Sequence, residues 1–208
     1  MSDLFGAQAG FEKLPISEAD VSLLRRIDLE NEDQDILQLL MDQTPWQQES
    51  VTVWGKTHPQ PRLVAWYGDE GVRYTYSGIQ LTSRPWTPLL TSLRRKVESH
   101  THNTFNSVLM NLYRNHLDGM GFHSDDEREL GERPTIASLS FGEPRTLVFR
   151  HRHRKDLRPV RLTLESGSLL LMKGDTQRNW QHGIPKESVP CGPRVNLTFR
   201  RIVAATQV

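Results

Sequence analysis

The chain has 208 residues, 36% hydrophobic and 25% charged, which is enough apolar material for one domain with at most a small appendage. A net charge of +1 excludes a generally polycationic chain, so any affinity for nucleic acid must come from local patches. The single Cys191 excludes an internal disulfide and fits a reducing compartment, and there is no apolar run long enough to span a membrane.

In chain order, the start Met1-Ser2-Asp3-Leu4-Phe5 lacks a basic stretch followed by an apolar one, so no signal peptide is expected. The expected location is cytoplasmic, or nuclear if the source is eukaryotic. Residues 1–15 read as a loose arm. Ser17 is placed to cap a short helix with Val21, Leu23, Leu24 and Ile27 on its apolar side. A second helix is predicted from Glu32 to Met41, with acidic residues at its start and Thr44-Pro45 at its end. Residues 1–45 thus form an N-terminal arm and helices.

Residues 46–104 form a second segment. Val51 to Lys56 reads as a strand running into a turn at Gly55. Trp54 is either a half-buried ring or an exposed one that stacks on bases. Tyr74 and Tyr76 lie two apart, so on a strand they share a face, as core or as a platform for a flat ring. Pro88 to Val97 is a predicted helix with Leu89, Leu90, Leu93 and Val97 at helical spacing.

From Phe105 the period becomes two. Phe105, Ser107, Leu109, Asn111 and Tyr113 share one face of a predicted strand. Further strands are predicted at Ile136–Phe141, Thr146–Arg150, Val160–Leu164, Ser168–Met172 and Val195–Val203. The fold class is therefore α+β with a mainly β core, a jelly roll over residues 105–208 with the N-terminal helices on one side, in one structural domain.

Two features carry chemistry. His123-Ser124-Asp125 places an imidazole and a carboxylate side by side, as two members of a metal-binding facial triad would be. Candidates for the third ligand are His151, His153 and His182. The first two sit in Arg150-His151-Arg152-His153-Arg154-Lys155, where the cations would repel a metal, so His182 is chosen. The basic run reads instead as a phosphate-contacting hairpin or as a solvated loop. The second feature is Arg194 to Arg200, which alternates strictly. Val195, Leu197 and Phe199 form an apolar face, and Arg194, Asn196, Thr198 and Arg200 a polar one. That polar face either meets solvent or receives a small dicarboxylate, since arginine pairs bidentately with carboxylate.

Asn111 to Glu127, Ile136 to Gly142, Gly167 to Met172 and Pro193 to Arg200 together resemble the AlkB family of Fe(II)/2-oxoglutarate-dependent nucleic-acid demethylases. Tyr67-Gly68-Asp69 and Tyr74 to Gly78 resemble the branch that acts on duplex DNA. The resemblance implies a double-stranded β-helix in which His123, Asp125 and His182 hold Fe(II). It implies that Asn111, Tyr113, Arg194, Asn196 and Arg200 bind 2-oxoglutarate, with Arg200 clamping one carboxylate and the metal-chelating end near Arg194 and Asn196. Which arginine takes which end is left open by the spacing. It further implies that Trp54, Tyr74, Tyr76, Ser77, Glu127, Arg150 and Arg152 meet the substrate, Glu127 beside a cationic base and Asp126 pointing away. With O2 as co-substrate, the implied reaction turns N1-methyladenine and N3-methylcytosine in alkylated DNA back to the plain bases, releasing formaldehyde, succinate and CO2. RNA is the alternative substrate, a binding module with an inactive metal site the alternative class, and a monomer the expected state.

Overall fold

The computed structural model describes residues 10–53, 55–76 and 79–203. Two antiparallel sheets carry the fold. The larger has seven strands, in the order β1 (Glu12–Lys13), β2 (Asp20–Leu24), β13 (Leu169–Lys173), β10 (Ile136–Gly142), β15 (Arg194–Arg200), β8 (Ser107–Tyr113) and β5 (Leu63–Gly68). The smaller has four, in the order β12 (Val160–Leu164), β11 (Arg145–His151), β14 (Trp180–Ile184) and β9 (Met120–His123). Two hairpins stand apart from these sheets, β3 (Ser50–Val53) with β4 (Lys56–Pro59) and β6 (Arg73–Tyr76) with β7 (Ile79–Thr82). Their sequence order and crossovers are those of a double-stranded β-helix, as the strand pattern predicts.

Helices α1 (Asp33–Gln43) and α2 (Pro88–Thr101) cover the outer face of the large sheet. Thr87 caps α2, accepting the Leu90 N–H at 3.2 Å, with Pro88 preset for the first turn. Leu90, Leu93 and Val97 then meet Val195, Leu197 and Phe199 of β15, and Ile36, Leu37 and Leu40 of α1 join the same core. A second core fills the space between the sheets, where Leu109, Ile136 and Leu170 face Leu147, Phe149, Leu164 and Ile184. The large sheet is therefore buried on both faces. Every residue of β8 and of β15 is buried, polar ones included.

The N-terminal part departs from expectation. Residues 20–24 are a strand, not a helix capped by Ser17: Asp20 to Leu24 pairs antiparallel with β13, Val21 opposite Met172 and Leu23 opposite Leu170. Val21, Leu24 and Ile27 also satisfy a helical spacing, and the open edge of β13 decides between the two patterns. The arm is not wholly loose either, since Glu12–Lys13 adds a short strand at the edge of β2.

Candidate active site

β15 explains the site from one side. Its register sets Arg194 opposite Tyr113 and Asn196 opposite Asn111 on β8, and Ser140 of β10 opposite Asn196. Since side chains alternate across a strand, these residues point together into the space between the sheets. Solvent contact is excluded for the polar face of β15, because Arg194 is 1% exposed and Arg200 3%.

The smaller sheet supplies the other side. His182 on β14 pairs directly with His123 on β9, and the two imidazole centroids lie 4.4 Å apart. Gly183 permits this close approach, because a side chain there would meet the Met120 carbonyl at 2.9 Å. After His123 the backbone leaves the strand and turns Asp125 inward, fully buried, while Asp126 is exposed. One ligand atom from each of His123, Asp125 and His182 lies within 4.8 Å of the others.

Three details show that this cluster fits a metal. The His123 Nδ1 donates to the Gly121 carbonyl at 3.0 Å, which leaves Nε2 with its lone pair free. Burial pushes both imidazoles down, His182 to about 3, so both are neutral ligands at neutral pH. Burial alone would raise Asp125, but Arg200 and the two imidazoles outweigh it and hold the carboxyl at about 2. Arg200 Nη2 donates to Asp125 Oδ1 at 2.5 Å, whereas among the described residues buried Asp125 Oδ2 has no hydrogen-bond partner. A buried carboxylate oxygen in that state costs free energy unless something binds it.

A cavity runs from the triad toward Arg194, lined by Tyr113, Met120, Ser138, Leu147, Leu164, Leu170, Met172, Ile184, Asn196 and Thr198. At its far end Arg194 Nη2 donates to Ser140 Oγ at 2.9 Å, and its guanidinium lies 5.3 Å from the Tyr113 ring. Its Nε and Nη1 make no hydrogen bond among the described residues, and burial pushes the group down to about 10. Asn196 is fixed by Ser138 Oγ at 2.7 Å and by the Thr198 hydroxyl, which donates to its Oδ1 at 2.9 Å. The spacing left the order of the two arginines open; Arg200 sits at the triad and Arg194 at the far end of the cavity.

The other expected residues divide. Asn111 faces inward, but its Oδ1 accepts from Arg62 Nε at 2.9 Å, and Tyr113 Oη lies 3.7 Å from Met120 Sδ. Glu127 is the residue before the turn Arg128–Leu130, with no side-chain capping bond and a half-buried side chain; like Asp125 it lies beyond the end of β9, so strand alternation does not set its direction. Arg150 lies over the Phe122 ring at 3.8 Å, and Arg152 pairs with Asp126 at 2.5 Å. His151 and His153 are outside the triad, His151 with its ring edge on Trp180 and Nε2 3.3 Å from Glu18. Trp54 and Ser77 lie outside the described residues, as do the side chains of Tyr74 and Tyr76.

Two buried arginines went unnoticed in the sequence. Arg62 is 4% exposed and Arg145 1%. Arg145 Nη2 donates to the Asp118 and Pro185 carbonyls at 2.8 Å each, tying the loop before β9 to the end of β14. The only available signal was an arginine opening each apolar strand, Leu63–Tyr67 and Leu147–Phe149.

The sequence matches the model of the 2OG-Fe(II) oxygenase superfamily over residues 20–200. It is 45% identical over 175 residues to the alpha-ketoglutarate-dependent dioxygenase alkB homolog 3 of Homo sapiens, covering 80% of this chain and 60% of that protein. It is 47% identical over 159 residues to the DNA oxidative demethylase ALKBH2 of Mus musculus, covering 74% and 66%. The chain thus spans about three-fifths of the length of the first of these relatives. The solved structure of OsALKBH1 shares the fold, with a TM-score of 0.65 at 17% identity, over 92% of this chain and 100% of that one. The family match takes in every strand of both sheets but β1 and all three residues of the triad, and the chain belongs to the 2OG-Fe(II) oxygenase superfamily, on its AlkB branch.

Proposed function

We propose that this chain is an Fe(II)/2-oxoglutarate-dependent dioxygenase that demethylates N1-methyladenine and N3-methylcytosine in DNA. The observation that carries the reading is one cavity with unsatisfied groups of opposite sign at its two ends, Asp125 Oδ2 at one and Arg194 Nε and Nη1 at the other. A metal ion completes the first, and the far carboxylate of a dicarboxylic oxoacid completes the second.

His123, Asp125 and His182 would hold the iron. When bound, iron and 2-oxoglutarate supply the oxidising power drawn from O2, with the oxoacid leaving as succinate and CO2. Arg194 pairs with the far carboxylate beside Tyr113. Asn196, already oriented by Ser138 and Thr198, lies between the two ends. Arg200 fixes Asp125 Oδ1, so that Oδ2 is the oxygen presented to the metal. Leu147, Leu164, Leu170 and Ile184 wall the cavity and exclude water.

The methylated nitrogen lies on the pairing edge, so the base must leave the stack to reach this cavity. On the family resemblance we assign Glu127 to favouring the cationic lesion by charge, Tyr74, Tyr76 and His123 to contacting the flipped ring, and Trp54 to filling the gap it leaves. Arg150 and Arg152, at the end of β11, are assigned to phosphate contact. The name of one relative, a DNA oxidative demethylase, supports DNA as the nucleic acid.

The test is anaerobic loading with Fe(II) and 2-oxoglutarate, then air, with N1-methyladenine in a DNA duplex or in an RNA of the same sequence. Formaldehyde in step with succinate on DNA is the expected result. Succinate without formaldehyde on DNA, or formaldehyde from the RNA alone, would overturn the substrate. Neither product would overturn the catalytic reading.

A further inference from the structure

Asp125 must be aimed without the help of a sheet. Its backbone has left β9, and the loop Ser124–Glu127 carries the only anionic ligand of the triad. What holds the loop comes from the segment just before His182. The Ser124 hydroxyl donates to the Trp180 carbonyl at 3.0 Å. The Asp125 N–H donates to Gln177 Oε1 at 3.0 Å, inside the protein. Asp126 accepts from Arg152, whose Nη1 also lies 3.4 Å from the Gln177 carbonyl.

Gln177 stands at the centre of these contacts. It is 2% exposed and lies on the single-turn helix α3 (Thr176–Asn179). That turn is itself anchored, since Thr176 donates to the Lys173 carbonyl at 2.6 Å and accepts the Asp20 N–H at 2.9 Å. The orientation of the Gln177 amide follows from chemistry: only its oxygen can accept from the Asp125 N–H. Its Nε2 is then left facing Met172 Sδ at 3.6 Å, a weak acceptor on the cavity wall. A buried amide with such a poor second partner is costly unless its first bond matters.

We propose that Gln177 is a positioning residue for the metal centre, fixing the backbone of Asp125 against the strand that carries His182. This rests on the reading of the triad as an iron site. One side chain thereby sets the spacing between two ligands 57 residues apart in sequence, His182 being five residues along from Gln177. The Asp126–Arg152 ion pair braces the same loop from outside, where solvent weakens it.

The experiment measures Mn(II) binding to the metal-free protein by calorimetry, with thermal melting of the same samples. Wild type should bind one equivalent. Gln177→Leu should bind about 10-fold more weakly, the size of effect that partners of metal ligands exert. Gln177→Glu keeps an acceptor for the Asp125 N–H and should recover most of the affinity. If Gln177→Leu does not fold, Gln177→Asn, which keeps the amide but shortens its reach, should show the same loss. Equal Mn(II) affinity in wild type and Gln177→Leu, whatever the melting temperature, would overturn the role of Gln177 alone. A wild type that binds no Mn(II) would overturn the iron reading as well.

Discussion

The inner ends of β8, β9, β14 and β15 and the outer hairpin between β11 and β12 both concentrate charge, yet they treat it in opposite ways. Inside, Arg194, Arg200 and Asp125 are almost wholly buried, and Asp125 Oδ2 and Arg194 Nε and Nη1 lack hydrogen bonds among the described residues. On the hairpin, Arg154 pairs with both Glu18 and Asp156, and Arg152 pairs with Asp126, all half-exposed. Exposed pairs are screened and contribute little, whereas buried unmatched charges are costly. The interior is therefore built around ligands that bind there, and the rim around contacts that exchange with solvent ions.

The largest effect that would break this contrast is at the triad. Asp125→Ala should lower metal affinity more than about 100-fold, beyond what loss of an outer partner costs. Asp126→Ala should leave metal affinity within about 2-fold by the same measure, because it removes only an exposed counter-ion. Calorimetry with Mn(II) compares the two, and equal losses would refute the division between them. Next, Arg194→Ala should raise the KM for 2-oxoglutarate roughly 100-fold, the cost of removing one partner of a buried charge pair. Arg194→Lys, a point charge without the planar fork, should recover only part of it.

A third effect sharpens the contrast through pH. The buried imidazoles of His123 and His182 take up protons less readily than in the unfolded chain. As pH falls from the ordinary histidine range near 6.5 toward about 3, the unfolded chain therefore gains protons that His182 refuses, and stability is lost. Denaturant melts of the metal-free protein should show this fall. Asp125, held at about 2, loses its contribution as pH falls from its unfolded value of 3.8 through 2, so the fall well above pH 4 belongs to the imidazoles. A His182→Asn variant should flatten the curve. The smallest effect is at the rim. Arg150→Ala should leave Mn(II) binding unchanged, weaken DNA binding a few-fold and reduce its salt slope by about one.

The sequence made the interior far more legible than the rim. Strict alternation in Arg194–Arg200 gave the polar face of β15 directly, because a strand has a period of two. Asn111 and Tyr113 followed in the same way, and the structure brings them opposite Asn196 and Arg194. The cations around His151 and His153 favour His182 as the third ligand, and β14 sets it against His123. What stayed hidden depended on pairing partners far away. β9 is four residues long with a glycine inside it, too short to announce a strand. Residues 20–24 carry a pattern that fits helix and strand, and only β13 resolves it. Two counter-ions of the hairpin, Glu18 and Asp126, lie 136 and 26 residues from the arginines they neutralise. Gln177 was invisible for the same reason, since nothing local marks a glutamine that serves a backbone N–H 52 residues earlier.

The cavity between the sheets leaves a metal to complete one end and a dicarboxylate the other. Anaerobic calorimetry tests it most directly, with Mn(II) titrated first and 2-oxoglutarate second, into wild type and Arg194→Ala. Both proteins should bind one equivalent of metal, and only wild type should bind the oxoacid tightly. Oxoacid binding of equal strength in the two proteins would contradict it.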